Sequence, residues 1–342
     1  MKLISASVQG LFGECDHSVE INPDGITFVH SANGVGKTIF LTIIYDVLRC
    51  DREALRAFRF AKAELIFDDG SKIVAENRDS DPTIRLNSNG TIIDLVTAGA
   101  KGIATPTFIR SSRLTTKKGD GTLVYSLDLF TDELKDWFIA AKDDTAISVE
   151  DAVVEEDLSD ADIELRLREL KAKVDFMYES GFRVNLPIGL KLSPSRYDIG
   201  KNHDSYLKLV YALEGFLSKD HQLAESIIVY QDIINSFFVG KRLVINNGRM
   251  GIVLSDGSGL SMECLSSGEM HLLIIFYRLL FQARPGSLVI IDEPEISLHV
   301  SWQQRLGPVF SDLCRLRDLQ MLIATHSPQT IHDMWDKANE LR

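Results

Sequence analysis

The chain has 342 residues, with 37 Lys or Arg against 49 Asp or Glu and a net charge of −12. Its length exceeds the usual domain of about 100 to 200 residues, so one large domain with an insertion is expected, with ample chain for a core. The negative charge excludes a surface that binds nucleic acid everywhere by counterion release and leaves room only for a local basic groove. No run approaches the roughly 18 apolar residues needed to cross a bilayer. Met1-Lys2-Leu3-Ile4-Ser5 leads into a strand-like segment rather than a signal peptide, so a cytoplasmic location without membrane contact is expected. Cys15, Cys50, Cys264 and Cys314 lie far apart, form no metal-ligand or redox spacing, and read as reduced structural thiols.

In chain order, Gly25–His30 reads as a short buried strand. Ser31-Ala32-Asn33-Gly34-Val35-Gly36-Lys37-Thr38 follows directly, and Ile39–Leu48 is apolar enough for a buried helix. Strand, glycine-rich loop and helix form the context of a phosphate-binding loop. Asn33, Gly34 and Gly36 belong to a cradle in which backbone N–H groups approach phosphate oxygens, helped by the positive end of the helix. Lys37 would reach the β- and γ-phosphates, and the Thr38 hydroxyl would ligate Mg²⁺. Ser31 stands where the pattern usually has its first glycine, which changes the pattern more than the mechanism.

Residues 58 to 95 read as a strand meander, with Ala63–Phe67 and Lys72–Ala75 flanking the hairpin turn Asp68-Asp69-Gly70. Phe108-Ile109-Arg110-Ser111-Ser112-Arg113-Leu114 holds a further strand, with Ser112 at its end. Between 126 and 235 helical spacing takes over, at Glu133–Phe138, Ile163–Leu170 and Tyr206–Leu213. Pro187 and Pro194 interrupt this insertion, and no long heptad run appears in it. The acidic stretch from Glu150 to Glu164 reads as a solvated loop and helix start. Arg242–Ile245 and Gly251–Leu254 are strand-like and are expected to return the chain to the first domain.

Leu265-Ser266-Ser267-Gly268-Glu269 then opens a strongly apolar helix, and by itself reads equally as a helix cap. Leu288–Ile291 has the character of a central parallel strand, with Asp292 and Glu293 at its carboxyl end, where such sheets place ligands. Asp292 would hold Mg²⁺ and Glu293 would polarise an attacking water, unless the pair merely caps the next helix. A second apolar strand, Met321–Thr325, ends at His326, which is placed at the same sheet edge to contact a γ-phosphate.

The order GVGKT, LSSGE, IIDEPE and ATHSP resembles the head of ABC-type ATPases. Asp292–His299 followed by Trp302-Gln303 is similar to the branch named for the overcoming-lysogenization-defect (OLD) protein. The resemblance is carried by the two ends of the chain. It implies an α/β P-loop head with a mixed sheet and an antiparallel β-layer, formed by residues 1–125 and 236–342, and a mainly helical insertion at 126–235. It implies ATP and Mg²⁺ as cofactors and a homodimer or higher homo-oligomer. Ser266, Ser267, Gly268 and Glu269 of one subunit would close over ATP on the P-loop of another, with Glu293 and His326 as catalytic residues. Ser112 takes the place of the family's Mg²⁺-sensing glutamine, which leaves open a water bridge or weaker coupling. Arg113 faces either phosphate or an ion-pair partner.

The chain ends 16 residues after His326, without the nuclease segment of OLD enzymes. The resemblance therefore implies a separate effector such as a nuclease, as in anti-phage defence systems. Two other readings stand beside it: a nucleotide-locked scaffold with little turnover, and a repair ATPase that clamps DNA through Arg56, Arg59, Lys62, Arg110, Arg113, Lys117 and Lys118.

Overall fold

The computed structural model describes all residues except 33, 79–80, 89, 96–104, 111–114, 118–122, 144–146, 151, 180–183, 247 and 342. At 78, 115–117, 123–125, 140–143 and 218–221 it describes the backbone alone. The chain divides into two compact units, Met1–Leu114 with Ser266–Arg342, and Thr115–Leu265.

The first pass through unit 1 makes β1 (Leu3–Leu11), β2 (Cys15–Glu20), β3 (Ile26–His30), α1 (Lys37–Leu48), α2 (Arg52–Leu55), β4 (Lys62–Phe67), β5 (Lys72–Arg78), β6 (Asp81–Ser88), β7 (Thr91–Asp94) and β8 (Thr107–Arg110). Unit 2 holds β9 (Thr115–Lys117), β10 (Leu123–Tyr125), α3 (Ser126–Asp143), α4 (Asp160–Glu179), α5 (Arg196–Lys201), α6 (His203–Phe237), β11 (Lys241–Asn246), β12 (Arg249–Leu254) and β13 (Gly259–Leu260). The chain re-enters unit 1 with α7 (Ser267–Tyr277), β14 (Leu288–Asp292), α8 (Val300–Arg317), β15 (Gln320–Ala324), α9 (Pro328–Ile331) and β16 (Ala338–Glu340).

Unit 1 has two sheets. The order β16-β3-β15-β14-β8 is parallel at every pairing, whereas β2-β1-β4-β5-β6-β7 is antiparallel throughout. The α/β head with both strand directions and an antiparallel layer is thus present, its directions sorted between sheets. β14 and β15 are buried at every position, which is why they read as unbroken apolar runs. β4 alternates strictly, one face inward, as a one-sided antiparallel layer should. Helix α1 is apolar nearly all round because it fills the space between the sheets. Phe40, Leu41, Ile43 and Ile44 share one core with Val8, Leu65 and Ile73 on one side and Val29, Ile290 and Leu322 on the other. The parallel register aligns Asp292 with Arg110 and Ala324, and Ala324 with Val29, so the loops after β3, β14 and β15 leave one edge together.

In unit 2 the expected helices lie within α3, α4 and α6, and Pro187 and Pro194 fall between α4 and α5. Ser195 and Asp198 form a reciprocal cap on α5. The division differs from the expected boundaries at 126 and 235, because β11, β12 and β13 belong with the helices. Helix α6 binds them directly: Asn235 Oδ1 accepts from Leu243 N at 2.6 Å, its Nδ2 donates to Leu243 O at 3.1 Å, and Gln231 Oε1 accepts from Ile245 N at 2.9 Å. Among the described residues no helix is long and apolar enough to cross a membrane. The four cysteines form no disulfide with one another; Cys314 is buried, Cys15 and Cys50 half-buried, and Cys264 exposed.

Candidate nucleotide site

The loop after β3 needs glycine where expected. Gly34 and Gly36 have φ of +86° and +96°, a region a side chain strains to enter. A Cβ on Gly36 would also press on Phe12 and Leu11 at 3.0 and 3.1 Å. His17 on β2 is buried and donates from Nε2 to Val35 O at 2.9 Å, tying the antiparallel layer to the loop. Nothing in the sequence around His17 signals that role, because the partner is a backbone carbonyl distant in sequence. Asn33 lies outside the described residues.

Lys37 is buried at the start of α1, and burial lowers the pKa of its ammonium. It donates to Ser31 Oγ at 2.9 Å, Ser31 O at 3.1 Å, Ala32 O at 3.3 Å and His326 Nδ1 at 3.1 Å. Ser31 therefore supplies an acceptor where a glycine would have none. Since an ammonium only donates, Nδ1 of His326 accepts and Nε2 carries the proton. That Nε2 lies 3.1 Å from Glu293 Oε1, giving a continuous path Lys37–His326–Glu293. Beside it, Thr38 Oγ1 donates to Asp292 Oδ2 at 2.8 Å.

Asp292 is buried, and its Oδ1 is enclosed without a hydrogen-bond partner. Desolvation raises its pKa, opposed by the Thr38 bond and the charges of Arg110 and Lys37. A buried carboxylate oxygen left open next to a hydroxyl is a hard-oxygen donor set that fits Mg²⁺. Glu293 takes φ of +52°, a sparse conformation for a residue other than glycine, and its N–H is held by Ala324 O at 2.8 Å. Arg110 stacks on Phe108, its Cζ 4.6 Å from the ring centroid, in register with Asp292. Ser112 and Arg113 lie outside the described residues.

The serine-rich loop is organised separately. Ser266 Oγ accepts from Glu269 N at 3.3 Å and Glu269 Oε2 accepts from Ser266 N at 2.9 Å, a capping box at the start of α7. Ser266 and Ser267 are exposed, whereas Gly268 is buried. A Cβ on Gly268 would collide with the carbonyl oxygen of Ser297, so the first turn of α7 lies directly on the chain that follows Glu293. His271, one turn on, is 6% exposed; its Nε2 has no partner, and the ring donates to the carbonyl of Pro294 from Nδ1. The cap reading of SSGE is thus met by the structure, and the cap holds the two exposed serines.

Arg56 and Arg59 line a cavity of about 610 Å³ with Gly10, Gly13, Phe58 and Asn77. Arg56 also pairs with Asp81 at 3.5 Å, and Lys62 pairs with Glu64. Lys118 lies outside the described residues, as does the side chain of Lys117.

This fold, with its phosphate-type loop facing two acidic residues and a histidine across a parallel sheet edge, defines a P-loop ATPase head. A family model described as "AAA domain, putative AbiEii toxin, Type IV TA system" matches residues 32–331, and the chain belongs to that family. A curated relative, "Retron Ec83 probable ATPase" from Escherichia coli, is 27% identical over 146 residues, 39% of this chain and 26% of that protein. The match thus spans about a quarter of the relative's length. A solved SMC head bound to the C-winged helix domain of ScpA is 14% identical with a TM-score of 0.50, covering 97% of this chain and 91% of that one. At that identity the likeness is one of fold. The SMC head domain from Thermotoga maritima is 13% identical at a TM-score of 0.47, covering 99% and 93% of the two chains.

Proposed function

We propose that the protein is a cytoplasmic ATPase of the OLD-like branch in which two copies enclose ATP and use its hydrolysis to control a separate effector, such as a nuclease in anti-phage defence. The observation that carries the reading is the path Lys37–His326–Glu293 beside the Thr38–Asp292 pair with its open carboxylate oxygen. On binding, Lys37 would leave Ser31 for the β- and γ-phosphates, and His326 would turn its Nε2–H from Glu293 to a γ-phosphate oxygen. Glu293 then accepts the proton of the water that attacks the γ-phosphorus, while the bond from that phosphorus to the bridging oxygen breaks, releasing ADP and phosphate. Thr38 and Asp292 would hold Mg²⁺, which when bound neutralises phosphate charge.

The exposed Ser266 and Ser267, at the positive end of α7, support closure over ATP held by a second copy. Control of an effector rests on the OLD resemblance together with a relative named as a retron ATPase. The test is Glu293→Gln. It keeps ATP binding and lowers turnover by about 100-fold or more, and ATP-dependent dimers persist longer in sedimentation. Unchanged hydrolysis would overturn the role given to Glu293.

A further inference from the structure

Glu295 is 8% exposed, and burial raises its pKa. Its Oε1 accepts from the backbone N–H of His326 at 2.7 Å and of Ser327 at 3.2 Å, and the Thr325 side chain donates to the same carboxylate. Its Oε2 is enclosed with no hydrogen-bond partner. A half-satisfied carboxylate is an expensive way to fill a core, because desolvation opposes it and an aliphatic side chain of similar size would not. What the carboxylate supplies is an acceptor aimed at two consecutive amides of the loop that presents the His326 ring.

A second tie runs from the same segment. Ser327 Oγ donates to Gln303 Oε1 at 2.6 Å, and Gln303 Nε2 donates to Leu298 O at 3.0 Å. The ring that follows from this backbone spans Lys37 and Glu293 at 3.1 Å on each side. We propose that Glu295 is a positioning residue: by holding the amides of His326 and Ser327 it sets the reach of the His326 ring and thereby the rate of hydrolysis, without touching nucleotide. The proposal rests on the reading of Glu293 and His326 given above. Its leverage is geometric, since an error of about 1 Å in a reacting group lowers rates by about 100-fold.

The experiment compares Glu295→Ala, Glu295→Asp and Glu295→Gln in the full chain by steady-state ATP turnover and by hydrogen exchange of the 326 and 327 amides. The expected result is a fall in kcat of about 10- to 100-fold in the alanine variant with KM for ATP within about threefold, because the contacts to nucleotide are elsewhere. Aspartate, one carbon short of the reach, falls with alanine, and so decides the matter should alanine not fold. Glutamine keeps an acceptor oxygen and recovers most of the rate, with both amides protected as in the parent. Turnover within threefold of the parent in alanine or aspartate overturns the proposal, as does an equal loss in glutamine and alanine. Absence of turnover in the parent would instead overturn the functional reading. Positioning is then decided by exchange alone, where unchanged protection in Glu295→Ala overturns it.

Discussion

His271 and Lys37 are both cationic residue types placed where water is excluded, and they are treated differently. Lys37 keeps partners on several sides and faces three carboxylates, Glu293, Asp292 and Glu295, whose charges oppose the effect of burial. His271 has only the Pro294 carbonyl, and burial pushes it down to about 4. The unfolded chain binds a proton there below about 6.5, the ordinary value, while the folded chain does not until about 4. Folding stability is therefore unaffected by this group above pH 6.5 and is lost as pH falls from 6.5 to 4, by on the order of 2–3 kcal/mol at most. His271→Leu should flatten that part of the stability curve measured by urea unfolding at several pH values; an unchanged acid slope would refute it.

At the scale of elements, the first turn of α7 lies against the chain after β14. By helix propensity alone, alanine would be preferred to Gly268 by about 1 kcal/mol. The carbonyl of Ser297 reverses that preference. Gly268→Ala is expected to destabilise unit 1 by about 1–3 kcal/mol through overpacking and to displace the serine loop. Thermal unfolding checks it, and a melting temperature equal to or above the parent's would show that the two segments can part without strain. The same contact, with the His271 bond to Pro294, joins the first turn of α7 to the segment that follows Glu293.

At the scale of the whole molecule, the reading requires two faces with one purpose. On that reading the P-loop face would bind nucleotide within a single copy, while the exposed serines would be used by another copy. Ser267→Arg places a bulky cation on the second face alone. It should leave ATP affinity of the monomer within about twofold while abolishing ATP-dependent dimers and turnover, since a steric and charged group at an interface centre typically removes several kcal/mol. Light scattering with and without ATP checks this; dimers of normal stability would sink the shared-site reading but not nucleotide binding.

The order of apolar runs and glycine-rich turns carried much of this arrangement in the sequence. β3, β14 and β15 are buried on both faces and so leave a pattern that local reading detects, and the groups at their carboxyl ends follow from strand direction alone. Lys37, Thr38, Asp292, Glu293 and His326 were legible for that reason. The contacts of His17 and Glu295 were not, because each meets a backbone group distant in sequence, and such a group leaves no signature of its own; nor was the bridge of Gln303 between the Ser327 hydroxyl and the Leu298 carbonyl. The assignment of β11 to β13 to unit 2 was also decided in three dimensions: the strands have the same local character in either unit, and the side chains of Gln231 and Asn235, hydrogen-bonded to β11, join them to α6.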